Sequence, residues 1–202
     1  MNEREIVECV STKLSDKYEK IYIHRRPKAS APLKEKLKRK LGYTPILQPE
    51  LDMVFKEANS GKLNAVEVKY FPLKETGIRM EFYRGIGQAL ALHNFGFDHV
   101  ALWFFISEDL SSEIINRGAG SWFFIRNDLE LPLDFSYFKV KSLNGNISFK
   151  VMQYTGKSSG NELSDIDDPQ FMITWKHANP IRYEKDQKII RSLLEPWLDG
   201  EK

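Results

Sequence analysis

The stretch that decides the fold is Pro49-Glu50-Leu51-Asp52-Met53-Val54-Phe55, followed after a polar break by Ala65-Val66-Glu67-Val68-Lys69-Tyr70-Phe71. Both halves have the apolar composition of β-strands, and Asn59-Ser60-Gly61-Lys62 between them is typical of a turn. Asp52 is the lone ionisable residue from Leu51 to Phe55, while Glu67 and Lys69 lie two positions apart. Because side chains alternate along a strand, we expect these three charges to converge on one side of a hairpin.

Charged side chains within apolar strands need a physical reason to be there. Burying carboxylates and an ammonium costs free energy unless they pair, bind a metal ion or take part in chemistry. The cluster of Asp52, Glu67 and Lys69 therefore predicts a functional site. The structural alternative is an exposed ion pair between Glu67 and Lys69, with Asp52 as a surface residue near the turn.

Composition sets the broad class of the protein. A chain of 202 residues with 42% hydrophobic and 29% charged residues is long enough for one α/β domain and short for two independent ones. The single Cys9 excludes a disulfide framework and a Cys-rich zinc site, and it suits a reducing compartment. Since the start of the chain lacks a signal-peptide core and Val100 to Ile106 is too short to span a bilayer, we expect a cytoplasmic protein without a membrane partner.

Basic residues crowd one segment that Glu35 alone opposes: Arg25, Arg26, Lys28, Lys34, Lys36, Lys38, Arg39 and Lys40. A basic segment beside a candidate site suggests a polyanionic substrate, because phosphate neutralisation drives much of nucleic-acid affinity. A solvated charged surface is the other interpretation, and the basic run taken alone favours it.

Hydrophobic spacing predicts an order of elements for the first half of the chain. An amphipathic helix from Glu3 to Leu14 comes first, with Glu3 on its inward face. A later helix, after the strand pair, is predicted from Thr76 or Gly77 to Phe95 with Gly96 as its cap. Its small residues allow a close approach to a sheet; they are Gly85, Gly87, Ala89 and Ala91. The other predicted elements are a strand over Ile21–His24, a basic helix or loop over Leu33–Leu41, strands over Leu51–Phe55 and Ala65–Phe71, and a central strand over Val100–Ile106.

The pattern of the second half is weaker. Its predicted elements are a helix over Ser111–Arg117, extended segments over Trp122–Arg126 and Tyr137–Lys141, a strand over Ile147–Tyr154, a mobile loop over Lys157–Asp168 and a closing helix over Gln187–Leu198. The sequence thus predicts an α/β protein, with a core over residues 1–110 and a C-terminal α+β extension over residues 111–202 packed on the same domain.

The element order of the first half resembles the PD-(D/E)xK nuclease superfamily. Asp52 matches the first acid of that pattern, and Glu67-Val68-Lys69 matches its second motif. Glu3-Arg4-Glu5-Ile6-Val7 is similar to the opening helix of archaeal Holliday-junction resolvases, and Gln88 resembles the glutamine that several nuclease subfamilies place on the next helix. The resemblance implies a restriction-endonuclease-like core, which is a central mixed sheet flanked by helices.

The same resemblance implies a metal-dependent endonuclease that hydrolyses phosphodiester bonds in DNA. Mg²⁺ is the expected cofactor and Mn²⁺ its candidate substitute, held by Glu3, Asp52, Glu67 and the Val68 carbonyl. The implied catalytic residues are Asp52, Glu67, Lys69 and Gln88. Lys69 would orient or deprotonate the attacking water, or stabilise the charge of the transition state.

Four basic residues are expected to contact the phosphates of the nucleic acid: Arg25, Arg26 and Lys28 after the first strand, and Arg84 on the helix that carries Gln88. An ordinary ion pair between Glu81 and Arg84 is an equal alternative for the helix. The four histidines (His24, His93, His99 and His177) lack a metal-ligand spacing and are predicted to be packing or surface residues.

The resemblance also implies a partner and an assembly. DNA is the expected partner, and a homodimer is expected because cutting two strands is commonly divided between two subunits. The alternatives are a non-catalytic nucleic-acid-binding or assembly protein that retains the nuclease fold, and an RNA-directed nuclease.

Overall fold

The centre of the molecule is a mixed β-sheet. The computed structural model describes residues 1–47, 50–72, 82–113, 116, 120, 124–143, 145–154, 157–158 and 175–200. Over these residues the sheet has seven strands in the order in which they follow along the chain. They are β1 (Lys20–Arg25), β2 (Leu51–Lys56), β3 (Leu63–Phe71), β4 (His99–Ser107), β5 (Asp134–Leu143), β6 (Asn146–Tyr154) and β7 (Lys157–Ser158).

Strand direction divides the sheet into a parallel middle and antiparallel flanks. β3 pairs with β4 and β4 with β5 in parallel, whereas β1–β2, β2–β3, β5–β6 and β6–β7 are antiparallel. Every residue of β4 is buried. A strand covered on both faces needs a continuous apolar run, so the expectation of a central strand over Val100–Ile106 is confirmed.

Within the described ranges, the helices that cover the two faces are α1 (Glu3–Lys13), α2 (Ala31–Leu41), α3 (Phe82–Leu92) and α4 (Lys185–Leu198). Asn2 begins α1 with a capping box to Glu5, and Ser30 caps α2 by accepting from the Leu33 N–H. Apolar residues of α1 join one core cluster, and those of α2, α3 and α4 join a second cluster. The predicted α/β architecture, a central mixed sheet flanked by helices, is thereby confirmed.

The helix α3 lies very close to the sheet. A Cβ atom added at Gly85 would stand 2.8 Å from Leu102 Cδ1 and 3.0 Å from Lys69 Cγ. Real Cβ atoms avoid such distances, so the absence of a side chain lets the helix approach β3 and β4. The predicted cap is also present, because Gly96 follows the last turn with a φ of 73°.

Two expectations for the second half need correction. The extended segment over Trp122–Arg126 is wrong where it is described, since Phe124–Asp128 forms a short π-helix with Ile125 in the core. The connection between the parallel strands β4 and β5 must cross a face of the sheet, and this requirement overrides local strand propensity. The mobile loop over Lys157–Asp168 is wrong at its start, where Lys157–Ser158 pairs with β6.

Some expectations lie outside the described residues. These are the helix start at Thr76 or Gly77, Glu81, most of Ser111–Arg117 and the remainder of the loop after Ser158. The sheet continues through both halves of the chain, because β5 pairs with β4. The division near residue 110 stays a prediction.

Membrane insertion can be examined for the helices in the described ranges. None of them is both long enough and apolar enough to cross a bilayer.

Candidate functional site

Three charged side chains from two neighbouring strands open into one cleft of about 410 Å³. Asp52 comes from β2, while Glu67 and Lys69 come from β3. Asp52 Oδ2 accepts a hydrogen bond of 2.8 Å from the main-chain N–H of Val68, which fixes its carboxylate across the strand pair. The structure therefore brings together the three residues that the strand alternation places on one face.

The ammonium of Lys69 has three oxygen neighbours in the cleft. Its Nζ donates to Glu67 Oε1 at 2.6 Å and to the Val68 carbonyl at 2.8 Å. Glu3 Oε1 lies 3.8 Å from the same nitrogen. A carboxylate that is only 3% exposed, as Glu67 is, needs such a cation beside it.

Glu3 reaches the site from the first turn of α1. Its second oxygen, Oε2, accepts from the Tyr70 N–H at 3.3 Å, just past Lys69 on β3. The cap at Asn2 sets where α1 begins, and so it sets the reach of Glu3 to the sheet. The inward position predicted for Glu3 matches this placement.

The electrostatics of the cleft result from burial and crowding. Burial raises the pKa of Asp52 to about 6, while Lys69 and the Val68 N–H oppose this rise. Burial also raises the pKa of Glu67 to about 7, and the neighbouring Asp52 carboxylate adds to that rise. For Lys69, burial favours the neutral amine, but the surrounding carboxylates outweigh it and raise the pKa above its ordinary value.

The predicted residues of α3 differ in what the structure describes of them. Gln88 lines the cleft beside Lys69. Gly85, one turn earlier, lets the helix lie over the aliphatic part of Lys69. The side chain of Arg84 lies outside the described residues, so its expected phosphate contact stays a prediction.

The basic residues that follow β1 divide between two locations. Arg26 lines the cleft and donates from Nε to Glu50 Oε2 at 3.0 Å. Arg25 points elsewhere, because its Nη2 donates to the Leu198 carbonyl at 3.1 Å and its guanidinium lies over the Tyr22 ring. Lys28 is exposed in the short 3₁₀ turn Pro27–Ala29. Of the two arginines, the structure brings Arg26 to the cleft and not Arg25.

Among the cleft residues that sequence reasoning did not assign to the site are His24 and Glu50. His24, expected to be a packing or surface residue, lines it, and His24 Nδ1 lies 3.0 Å from Glu50 Oε1. Glu50 precedes Asp52 by two positions, so strand alternation could have placed both acids on one face. His24 carried no such signal, since its position depends on how β1 pairs with β2.

The donor set of the cleft fits a hard divalent cation. Within the described ranges, no three His, Cys, Asp or Glu side chains stand close enough to hold a metal ion by themselves. A cation here would use the carboxylates of Asp52 and Glu67, the Val68 carbonyl and water, which are the oxygen donors that Mg²⁺ prefers. A cation at this place would offset the burial and mutual repulsion that raise the pKa values of both carboxyls.

Comparisons with known proteins give one distant structural likeness. No family model matches the chain, and no curated protein matches it. Among solved structures, the chain is similar to Pyrococcus furiosus SfsA in complex with Ca²⁺, with 14% sequence identity and a TM-score of 0.37. The match covers 71% of this chain and 59% of the length of that protein. A likeness of this degree assigns no family.

Proposed function

We propose that this protein is a metal-dependent nuclease that hydrolyses phosphodiester bonds in DNA. The observation that carries the proposal is the placement at one open cleft of the half-buried Asp52, the buried Glu67 and the ammonium of Lys69, which pairs with Glu67. Placing two neighbouring carboxylates out of water raises the free energy of the folded chain unless a cation offsets their charge. Such a pair therefore indicates a function that requires it. Phosphodiester hydrolysis requires this kind of site, because negative charge must be neutralised as water attacks phosphorus.

Asp52, Glu67 and the Val68 carbonyl would hold the cation, with Glu3 close to its shell. A bound Mg²⁺ or Mn²⁺ supplies charge neutralisation at the phosphate and lowers the pKa of water. Asp52 is oriented for this role because the Val68 N–H fixes its Oδ2, which leaves Oδ1 available to a cation. Glu3 is tied to β3 through Tyr70 and adds negative charge that favours a cation.

Lys69 would act through its charge. Its raised pKa and its bonds to Glu67 and Val68 keep it as an ammonium at neutral pH. An ammonium cannot accept a proton, so among the three roles implied by the motif this environment favours stabilisation of the transition-state charge. On binding of the cation, the ammonium would turn from Glu67 towards the phosphate.

Arg26 and Gln88 would position the substrate. The Arg26 side chain is 61% exposed at the mouth of the cleft, and Glu50 holds its Nε. Its remaining N–H groups can donate to a phosphate oxygen, which positions a nucleic acid without reading its sequence. Contacts from Lys28 and Arg84, and pairing of two chains as a homodimer, are further parts of the proposal.

One observation favours a second candidate, a non-catalytic nucleic-acid-binding or assembly protein. Lys69 already contacts Glu67 Oε1 and the Val68 carbonyl, which are two of the proposed metal ligands. If the ammonium holds this place permanently, the cleft binds an anionic chain without cutting it. RNA as the substrate is a variant of the first candidate.

A cleavage assay separates these candidates. Plasmid, linear, single-stranded and branched DNA, together with RNA, are incubated with the protein in Mg²⁺, Mn²⁺ or EDTA. Cleavage that needs the cation and is lost in Asp52→Asn and Lys69→Ala supports the proposed DNase. The matched controls are Glu108→Gln and Lys141→Ala, because these residues form an exposed pair of 3.3 Å on the same sheet. Binding without cleavage favours the second candidate, and cleavage of RNA alone favours the variant.

A further inference from the structure

His24 has an unusual backbone for a strand residue. Its neighbours pair regularly, Ile23 with Met53 and Arg25 with Leu51, so that His24 stands between these pairs across from Asp52. The φ angle of His24 is 51°, in the left-handed region that residues other than glycine rarely adopt. Residues held in this region cluster at active sites, because the surrounding structure must enforce them.

The contact of His24 with Glu50 favours one position of the ring proton. Its Nδ1 lies 3.0 Å from Glu50 Oε1, and Arg26 holds the other oxygen of Glu50 at 3.0 Å. Since an ionised carboxylate only accepts hydrogen bonds, Nδ1 is the donor. The neutral imidazole therefore presents the lone pair of Nε2. Within the described part of the chain, Nε2 is buried and has no hydrogen-bond partner.

Among the described residues that line the cleft, the basic side chains other than His24 are poor proton acceptors. Lys69 is a donor to Glu67 and to the Val68 carbonyl, and Arg26 is a permanent cation. His24 lines the same cleft as Asp52 and Glu67, and a carboxylate behind its ring would stabilise the imidazolium. A carboxylate, an imidazole and a water in line are the usual components of general-base catalysis.

We infer that His24 accepts the proton of the water that attacks the phosphodiester, a role that rests on the proposed nuclease function. The water oxygen forms a bond to phosphorus as its proton passes to His24 Nε2. The bond between phosphorus and the leaving oxygen then breaks, and that oxygen takes a proton from solvent. Glu50 keeps the ring oriented and stabilises its charged form, and His24 returns its proton to solvent before the next turnover.

The backbone of His24 allows a sharp test by chemical rescue. Glycine adopts a positive φ without strain, so His24→Gly leaves a gap of the size of an imidazole in an unchanged strand. We expect kcat on DNA to fall by about 10²- to 10⁴-fold with KM within about twofold. Added imidazole should raise kcat of this variant by at least about tenfold. The rescue should grow as pH rises through the pKa of free imidazole, because the neutral form is the base. His24→Asn also tolerates the backbone, yet it fills part of the gap, and it should be rescued less.

A second readout does not depend on activity. In ¹⁵N-detected NMR of the whole protein, the His24 ring should be the Nδ1–H tautomer, and Glu50→Gln should shift it towards Nε2–H. An Nε2–H tautomer in the unsubstituted protein overturns the inference even if every variant cleaves DNA. Circular dichroism and thermal unfolding verify that each variant is folded.

The outcomes separate the inference from the proposed function. Cleavage that is lost in Asp52→Asn but unchanged in rate and pH profile in His24→Gly overturns the inference and leaves the nuclease proposal standing. A loss in His24→Gly that imidazole does not relieve, with an unchanged pH profile in His24→Asn, also overturns it. If the unsubstituted protein cleaves no nucleic acid with any cation, the proposed function fails and the inference fails with it.

Discussion

Two acidic residues of the sheet are almost equally buried but have different surroundings. Asp134, at the start of β5, is 1% exposed, and Glu67, in the middle of β3, is 3% exposed. Asp134 accepts from the Lys176 N–H at 3.0 Å, from the His177 N–H at 3.2 Å and from His177 Nδ1 at 2.9 Å. Glu67 instead faces a second carboxylate and accepts from the side-chain ammonium of Lys69 at 2.6 Å.

The difference separates a carboxylate held by main-chain donors from one that the proposed function would use. Main-chain donors at Lys176 and His177 fix Asp134 and hold the segment before α4 against the sheet. The similar burial of Glu67, in the middle of β3, is accompanied by a crowded pair of acids at an open cleft. Burial of a charge is therefore weak evidence for a site, whereas burial without fixed main-chain donors is stronger evidence.

The largest expected effect is on catalysis. Asp52→Asn keeps an oxygen to accept from Val68 but removes a ligand charge. We expect cleavage of DNA to fall by about 10³-fold or more, equivalent to about 4 kcal/mol of activation free energy. Asp134→Asn should cleave at nearly the original rate, as measured in the same assay. Equal losses in the two variants would contradict the comparison.

The second effect is on the free energy of unfolding, where we expect Asp134 to matter more than Asp52. Asp134→Asn places an amide where Lys176, His177 and His99 all present donors, so one donor loses its acceptor. We expect the free energy of unfolding to fall by about 2 kcal/mol. Urea unfolding at pH 8 measures this change. The Asp52→Asn variant should be at least as stable as the unsubstituted protein, because the substitution relieves the crowding of Asp52 with Glu67. A marginal loss in Asp134→Asn would show that Asp134 is not structural.

The third effect concerns the close approach of α3 to the site. Gly85→Ala would place its Cβ against Leu102 and Lys69, so we expect a loss of about 1–3 kcal/mol in unfolding free energy and a shifted Lys69. Gly87→Ala is the matched control, because nothing lies within 4 Å of its added Cβ. In that variant helix propensity should add up to about 1 kcal/mol of stability. Similar thermal stabilities for the two variants would exclude the close contact.

The fourth effect is stabilisation by a divalent cation. Mg²⁺ that binds the folded state alone should raise its stability by about 1.4 kcal/mol at ten times the dissociation constant. Because protons and the cation compete for Asp52 and Glu67, the thermal shift should be larger at pH 8 than at pH 6. It should disappear in Asp52→Asn and remain in Asp134→Asn. A shift that both variants retain would place the cation elsewhere.

The smallest effect is the pH dependence of stability. The folded-state pKa values of Asp52 and Glu67, about 6 and about 7, lie above their ordinary values of 3.8 and 4.5. As pH falls below about 7, the folded state takes up protons that the unfolded state does not yet bind, so these acids favour folding at lower pH. The lowered pKa values of His93 and His99 act in the opposite direction below their ordinary value of 6.5.

A difference measurement isolates the contribution of the acids. The histidine contributions are common to the unsubstituted protein and Asp52→Asn, so they cancel in the difference between the two. The stability advantage of Asp52→Asn should therefore shrink as pH falls from 8 to 5 in parallel urea titrations. A difference that stays constant over this range would show that Asp52 has an ordinary pKa.

Prediction from the sequence succeeds where the structure depends on residues that are close in the sequence. The buried run over β4, the strand pair that carries Asp52 and Glu67, and the cap at Gly96 all follow from periodicity and turn chemistry. It fails at Phe124–Asp128, where crossing the sheet imposes a helix on a sequence with strand propensity. It also fails to separate Arg25 from Arg26, because the path of the chain after β1 decides which side chain enters the cleft.

The sequence by itself determined the α/β architecture and the strand face shared by Glu67 and Lys69, because side-chain alternation is a property of the local backbone. Only the tertiary structure decided which remote groups complete the cleft. Glu3 from α1 and Gln88 from α3 were expected from the resemblance, but the fold alone places them in one cleft with Glu50 and with His24, which lies on β1 with a positive φ. These positions depend on how separate elements pack, and the free energy of that packing is distributed over contacts that no short motif records.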